Sequence, residues 1–116
     1  MKNWTLRFRA VDKKNFDELK RGDKSIETRA STIKYQPIEV GDMLTFVCGK
    51  ERCVKIIIKK YHWPSIDAMA REIDFKEINP SAHSLDEVKK MYASYPNYDE
   101  KIKKNGLLGF VLSNRV

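Results

Sequence analysis

Gly22-Asp23-Lys24-Ser25-Ile26-Glu27-Thr28-Arg29 marks the point where a helical pattern ending near Lys20 gives way to a strand-like one. Gly22 takes positive φ without steric cost, so it suits the stop of a helix. Beyond it the side chains should alternate between two faces. Ser25, Glu27 and Arg29 then share one face, and Ile26 and Thr28 the other. Lys24 has the opposite parity. It joins Glu27 and Arg29 only if the chain is still turning where helix meets strand. A lysine, a glutamate and an arginine gathered there offer cation and carboxylate together to a small polar ligand.

Working outward, Asn3 to Ala10 alternates Trp4, Leu6 and Phe8 with Thr5, Arg7 and Arg9, which predicts a half-buried strand. Asp12 is placed to cap a helix over about Lys13 to Arg21, with Phe16 and Leu19 inward. Ser25 to Thr32 reads as a strand, and 34–41 as a loop holding Tyr35 and Pro37. Met43 to Cys48 and Arg52 to Tyr61 read as a hairpin. The run Val54-Lys55-Ile56-Ile57-Ile58 is apolar enough to lie centrally in a sheet. Ser65 caps a helix to about Ile73, and Asn79-Pro80 breaks the chain. Ser84 and Glu87 form a capping box for a helix to about Tyr95, with Leu85, Val88, Met91 and Tyr92 as its apolar stripe. Pro96 to Asn105 is polar, with room for a turn of helix, and Leu107 to Leu112 closes the chain as a strand. The order β-α-β-β-β-α-α-β fits neither a helical bundle nor a doubly wound sheet. It predicts an α+β domain with its helices to one side.

The spacing G-x-K-x-x-E-x-R, met by Gly22, Lys24, Glu27 and Arg29, resembles the signature of the ASCH domain, a small module related to the PUA fold. The strand before the first helix, the Val40-Gly41-Asp42 turn, the hairpin and the closing strand follow the same order over roughly the whole chain. The resemblance implies a small mixed β-barrel of about five to six strands with two to three flanking helices. It also implies a cleft beside the first helix.

Length and charge narrow the classes. A chain of 116 residues has room for one core. No run approaches the ~20 apolar residues of a membrane span, and no apolar leader precedes the first strand pattern, so a cytoplasmic location is expected. The net charge of +7 fits a phosphate-bearing partner, RNA or single-stranded nucleic acid first, and fits equally a merely solvated lysine-rich surface. The clusters Lys59-Lys60, Lys89-Lys90 and Lys101/Lys103/Lys104 carry both readings. Cys48 and Cys53 read as free thiols. Their C-x4-C spacing with the isolated His62 and His83 matches no usual zinc pattern, so neither metal nor cofactor is expected.

A carboxylate accepts from the amines of a nucleobase, an arginine holds a phosphate or carbonyl with paired hydrogen bonds, and a lysine adds a point charge. Glu27, Arg29 and Lys24 therefore read as a receiver for one unstacked nucleotide, with Gly22 allowing close backbone approach. Tyr35, Tyr61, His62 and Trp63 are the stacking candidates. The plainer alternative for Glu27 and Arg29 is a surface ion pair contributing about 0–1 kcal/mol. For Tyr61 and Trp63 it is packing at a strand–helix junction.

The ASCH resemblance also implies, for some members, acetylcytidine amidohydrolase activity through a lysine, a threonine three residues on and a distant glutamate. Lys24 matches that lysine, but Glu27 stands where the threonine would be, and Thr28 should point to the other face. A hydrolase reading, amidohydrolase or ribonuclease, then rests on Lys24 and Glu27 as an acid–base pair activating water against an amide or a phosphodiester, with Glu72 or Asp74 as the distant carboxylate. A third class, a protein-binding module, would need an exposed apolar patch, and the sequence singles out none.

Overall fold

The computed structural model describes residues 1–113. In chain order the elements are β1 (Asn3–Arg7), α1 (Lys13–Arg21), β2 (Ile26–Ala30), β3 (Met43–Cys48), β4 (Glu51–Trp63), α2 (Ile66–Glu72), α3 (Leu85–Ala93), α4 (Tyr98–Asn105) and β5 (Leu107–Ser113). Short 3-10 turns lie at Ala10–Asp12 and Phe75–Glu77. One five-stranded sheet runs in the order β1-β3-β4-β5-β2. β1 pairs with β3 in parallel, Leu6 opposite Phe46, and every other pairing is antiparallel. The apolar run of β4 does lie at the centre. A bulge between Ile57 and Lys59 leaves Ile58 out of register and exposed, while Ile57 stays buried.

The sheet divides two cores, so the helices flank both of its faces rather than one. Phe16 and Leu19 of α1 pack with Leu6, Phe46, Leu108 and Phe110 on one side. Met69, Val88, Tyr92 and Ile102 of α2–α4 pack with Ile26, Ala30, Trp63 and Leu107 on the other. Adjacent Leu107 and Leu108 falling in different cores is the strand's two-residue alternation at work. Because β1 and β2 are the two edges of the sheet, the curl is a half-barrel with an open seam. Side chains span that seam: Arg29 Nη2 of β2 donates to the Arg7 carbonyl of β1 at 3.4 Å.

Helix starts follow local chemistry. Ser65 Oγ accepts from Ala68 N–H at 3.1 Å, and Ser84 Oγ from Glu87 N–H at 3.3 Å. The returning arm of the Ser84–Glu87 box differs in detail, since the Glu87 carboxylate accepts from His83 N–H at 3.0 Å. Asp12 precedes α1 but does not cap it with its side chain; its carboxylate takes Arg9 Nε at 2.8 Å instead. The helix α4 exceeds the single turn expected. Its acidic first turn and basic last turn suit the helix dipole, but only Ile102 is buried, so there is no apolar stripe to read.

Asp42, at the turn into β3, ties down the N-terminal strand. Its carboxylate accepts from Trp4 Nε1 at 2.9 Å, Lys2 N–H at 3.0 Å and Glu39 N–H at 3.0 Å. These bonds push its carboxyl down to about 2 from the ordinary value of 3.8. A depressed carboxyl stabilises the fold fully above the unfolded value, and the contribution is lost as pH falls toward the folded one. Asp42→Asn should therefore lower Tm most above pH 4, with the gap to wild type closing as pH approaches 2. Thermal melts across that window measure it.

Candidate functional site

The junction after α1 is fixed by backbone bonds. Gly22 sits at φ 90° and its N–H returns to the Leu19 carbonyl at 3.1 Å. Lys24 N–H then reaches Glu18 O at 3.1 Å, and Ser25 N–H reaches Glu77 O at 3.0 Å. The chain is thus still turning at Lys24, and β2 begins only at Ile26. This brings Lys24 Nζ to 3.1 Å from Glu27 Oε1, despite its opposite parity. Arg29 grips the other carboxylate oxygen, Oε2, through Nη2 at 2.8 Å and Nε at 3.1 Å.

These are not surface ion pairs. The side chains of Lys24, Glu27 and Arg29 are 1%, 5% and 13% exposed. Burial alone would raise the Glu27 carboxyl, but the charges of Lys24 and Arg29 outweigh it and hold the group below the usual carboxylate range. Burial opposes the Arg29 charge too, and Glu27 more than restores it, so the guanidinium stays charged. Lys24 is then the second cation on one carboxylate. Burial pushes its ammonium below the usual lysine range, with Glu27 opposing the shift.

The trio opens onto a cavity of about 150 Å³ in the seam between the sheet's edges. Arg7, Phe8 and Arg9 border it at and just past the end of β1, and Met91 and Tyr92 of α3, Tyr95 of the α3–α4 connection and Tyr98 of α4 cover it. Tyr95 lies edge-on to both Tyr92 and Tyr98, at 6.2 and 5.1 Å between ring centres. Thr28 also lines the cavity. It belongs to the face of Ile26 and Ala30, as its parity predicts, but β2 is an edge, and its hydroxyl meets that of Tyr92 at the cavity wall. Burial raises the phenols of Tyr92, Tyr95 and Tyr98 above the usual tyrosine range. Three of the chain's five tyrosines should thus show less tyrosinate absorbance near pH 10 in the folded protein than after unfolding. A spectrophotometric titration with and without denaturant checks this.

Hydrogen-bond capacity defines what the cavity can hold. An ammonium has three donors, and Lys24 uses two, on Glu27 Oε1 and on the Ile78 carbonyl at 2.7 Å. A carboxylate oxygen accepts twice. Oε2 is filled by Arg29, whereas Oε1 takes Lys24 alone. Among the described residues, one donor on Lys24 and one acceptor position on Oε1 of Glu27 are therefore left over at the buried end.

The other expected site residues are placed elsewhere. Gly22 stops the helix and does not line the cavity. Tyr35 supports Arg29 from behind, its hydroxyl accepting from Nη1 at 3.3 Å. Tyr61, His62 and Trp63 form the C-terminal end of β4 and do not line the cavity. Trp63 is buried, stacked on Tyr61 at 4.8 Å, and donates its indole N–H to Glu72 at 2.9 Å. His62 is exposed, with Nε2 3.1 Å from the Asn105 carbonyl. Neither proposed distant carboxylate serves the trio: Glu72 holds Trp63, and Asp74 caps the turn at Lys76. The buried carboxylate beside Lys24 is Glu18, which takes the Ser81 hydroxyl at 2.5 Å. Two signals pointed to what was missed: the basic-aromatic-basic Arg7-Phe8-Arg9, and Tyr92, Tyr95 and Tyr98 at steps of three. Cys48 and Cys53 are free thiols.

Fold and site together define an α+β half-barrel with a tyrosine-covered, charge-floored cavity in its seam. The same fold occurs in two solved structures. One is the crystal structure of hypothetical protein PH0355, with a TM-score of 0.83 and 22% identity over 96% of this chain and 97% of that one. The other is the solution structure of protein PF0455 from Pyrococcus furiosus, with a TM-score of 0.73 and 22% identity over 97% and 96%. Neither protein-family models nor proteins of curated function give a match. Among the described residues no helix is long and apolar enough to cross a membrane.

Proposed function

We propose that this protein binds RNA, or a modified nucleotide, by drawing one unstacked base into the seam cavity. The observation that carries the reading is the pairing of a free donor on Lys24 with a free acceptor on Glu27 beneath aromatic walls. A nucleobase edge presents the complementary acceptor and donor side by side. The cavity's ~150 Å³ is below the roughly 300–1,000 Å³ of pockets that swallow whole small ligands. It suits one flat ring with the rest of the ligand outside. The ASCH resemblance of Gly22, Lys24, Glu27 and Arg29 points the same way. Glu27 reads the base in this account, and Arg29 acts by holding Glu27.

Tyr95 is the stacking residue to test, because it is half-buried at the cavity and makes no hydrogen bond through its hydroxyl among the described residues. Tyr95→Ala should weaken binding of short single-stranded RNA roughly tenfold, the ordinary effect of losing one base–aromatic stack. Fluorescence anisotropy against a mixed-sequence oligonucleotide reads it. Unchanged affinity would remove the cavity from the binding account.

A second reading, hydrolysis of an amide on a modified base, draws on Lys24 and Thr28 lining one cavity. In this reading Lys24 works in its amine form, toward which burial shifts it against Glu27; the amine takes a proton from water as the water oxygen attacks the amide carbon, and returns it to the departing nitrogen. Glu27, ionised and engaged by both cations, positions Lys24 and transfers no proton. Lys24→Met, which leaves the Glu27–Arg29 pair intact, should abolish turnover with the fold kept.

A further inference from the structure

We infer that Arg7 and Arg9 form a phosphate subsite at the mouth of the cavity, which selects nucleotides over free nucleosides. The inference rests on the base-binding reading above and goes beyond it. Arg29 does not serve a phosphate, because its donors go to Glu27, Tyr35 and the Arg7 carbonyl and its side chain is 13% exposed. Lys24 is deeper still. A cavity filled by one ring leaves the phosphate outside, so the groups that meet it are those at the rim.

Arg7 and Arg9 border the cavity and both reach solvent. The backbone stays extended past β1, with Arg9 at φ −70° and ψ 155°. Residues two apart on such a chain point the same way, about 7 Å apart, a gap one phosphate can bridge. The guanidinium of Arg9 is held in place by Asp12 at 2.8 Å, by the Ser94 carbonyl at 3.4 Å and by the Tyr95 ring at 4.9 Å. Of its five N–H donors, Nε and one on Nη1 are engaged, and the others remain for a ligand. Asp12 also lines the cavity, and Arg9 offsets its charge. Arg7 has no ion pair among the described residues. The mouth thus carries one uncompensated positive charge beside a preplaced guanidinium, which suits an anion. The contact of Arg9 with Tyr95 joins the two subsites, since the ring proposed to stack the base also steadies the phosphate ligand.

The test compares the four ribonucleosides with their 5′- and 3′-monophosphates, by NMR titration of wild type, Arg7→Gln and Arg7→Gln/Arg9→Gln. The best monophosphate should bind at least tenfold more tightly than its nucleoside. Arg7→Gln should weaken the monophosphate roughly tenfold and leave the nucleoside within twofold, and the double variant should weaken the monophosphate further. The dependence of affinity on salt should flatten in the double variant. Arg7→Gln removes no observed contact, so a folding defect does not obscure it. Equal binding of nucleoside and monophosphate would overturn the phosphate subsite and leave the base-binding reading standing. Absence of binding by every nucleoside and nucleotide would overturn both.

Discussion

Glu27→Ala should lower the unfolding free energy by about 3–5 kcal/mol, the cost of leaving buried charge without its partner. Two cations converge on this carboxylate, and both are almost wholly removed from water. Lys24 can relieve part of the cost by losing its proton, since burial already pushes it that way. Arg29 cannot. Such a loss is a large part of the ~5–15 kcal/mol that holds a domain folded. Lys24→Met should cost much less, because Glu27 and Arg29 then remain as one carboxylate and one guanidinium. Urea unfolding of the two variants measures the asymmetry. A Glu27→Ala cost below about 1 kcal/mol, the size of a surface pair, would mean that water reaches the trio.

The second large effect is expected at Gly106, which joins α4 to β5. It sits at φ 83° and ψ −171°, a region that is essentially glycine's alone. A Cβ there would lie 2.6 Å from the Trp63 carbonyl oxygen and 2.8 Å from His62 Nε2. The histidine can swing away, but the backbone carbonyl cannot. The residue also donates to Ile102 O at 2.7 Å and accepts from Ser31 N–H at 2.9 Å, so a shift would disturb both α4 and the end of β2. Strain and overpacking together should make Gly106→Ala cost about 3 kcal/mol or more. Gly49→Ala is the control. Gly49 also has positive φ, at 60°, but nothing lies within 4 Å of its Cβ position. Its cost should stay near the ~1–2 kcal/mol of left-handed backbone alone. Thermal or urea unfolding of both separates clash from strain.

Periodicity carried most of the fold. The limits of α1 and β3 agree with the reading because Gly22 and the hairpin turn at Gly49 punctuate them. α4 was not legible beyond a turn, since one buried isoleucine gives no periodic signal. The placement of helices on both faces depends on which core each stripe joins, and a stripe does not name its partner. In the site, the convergence of Lys24 on Glu27 was legible only as a condition on the turn. The depth of Glu27 and Arg29 was not, because two charges on a strand read as a solvated pair until a seam and its tyrosine cover are in view. Tyr61, His62 and Trp63 stood out by aromatic density, yet β4 places them two strands in from β2, level with Thr28, Arg29 and Ala30 across β5, where they do not line the cavity. Tyr92 read as part of a helix stripe, Tyr95 as the end of that helix and Tyr98 as part of a polar stretch, and only the crossing of α3 and α4 over β2 brings the three together at the trio.

The base-binding account is tested most directly by following the backbone amides of isotope-labelled protein during titration with short single-stranded RNA at low and moderate salt. The account predicts shifts centred on Lys24 to Arg29, Arg7 to Arg9 and Tyr92 to Tyr98, weakening as salt rises. Shifts confined to the lysine-rich surface of Lys101 to Lys104, or none at low salt, would contradict it.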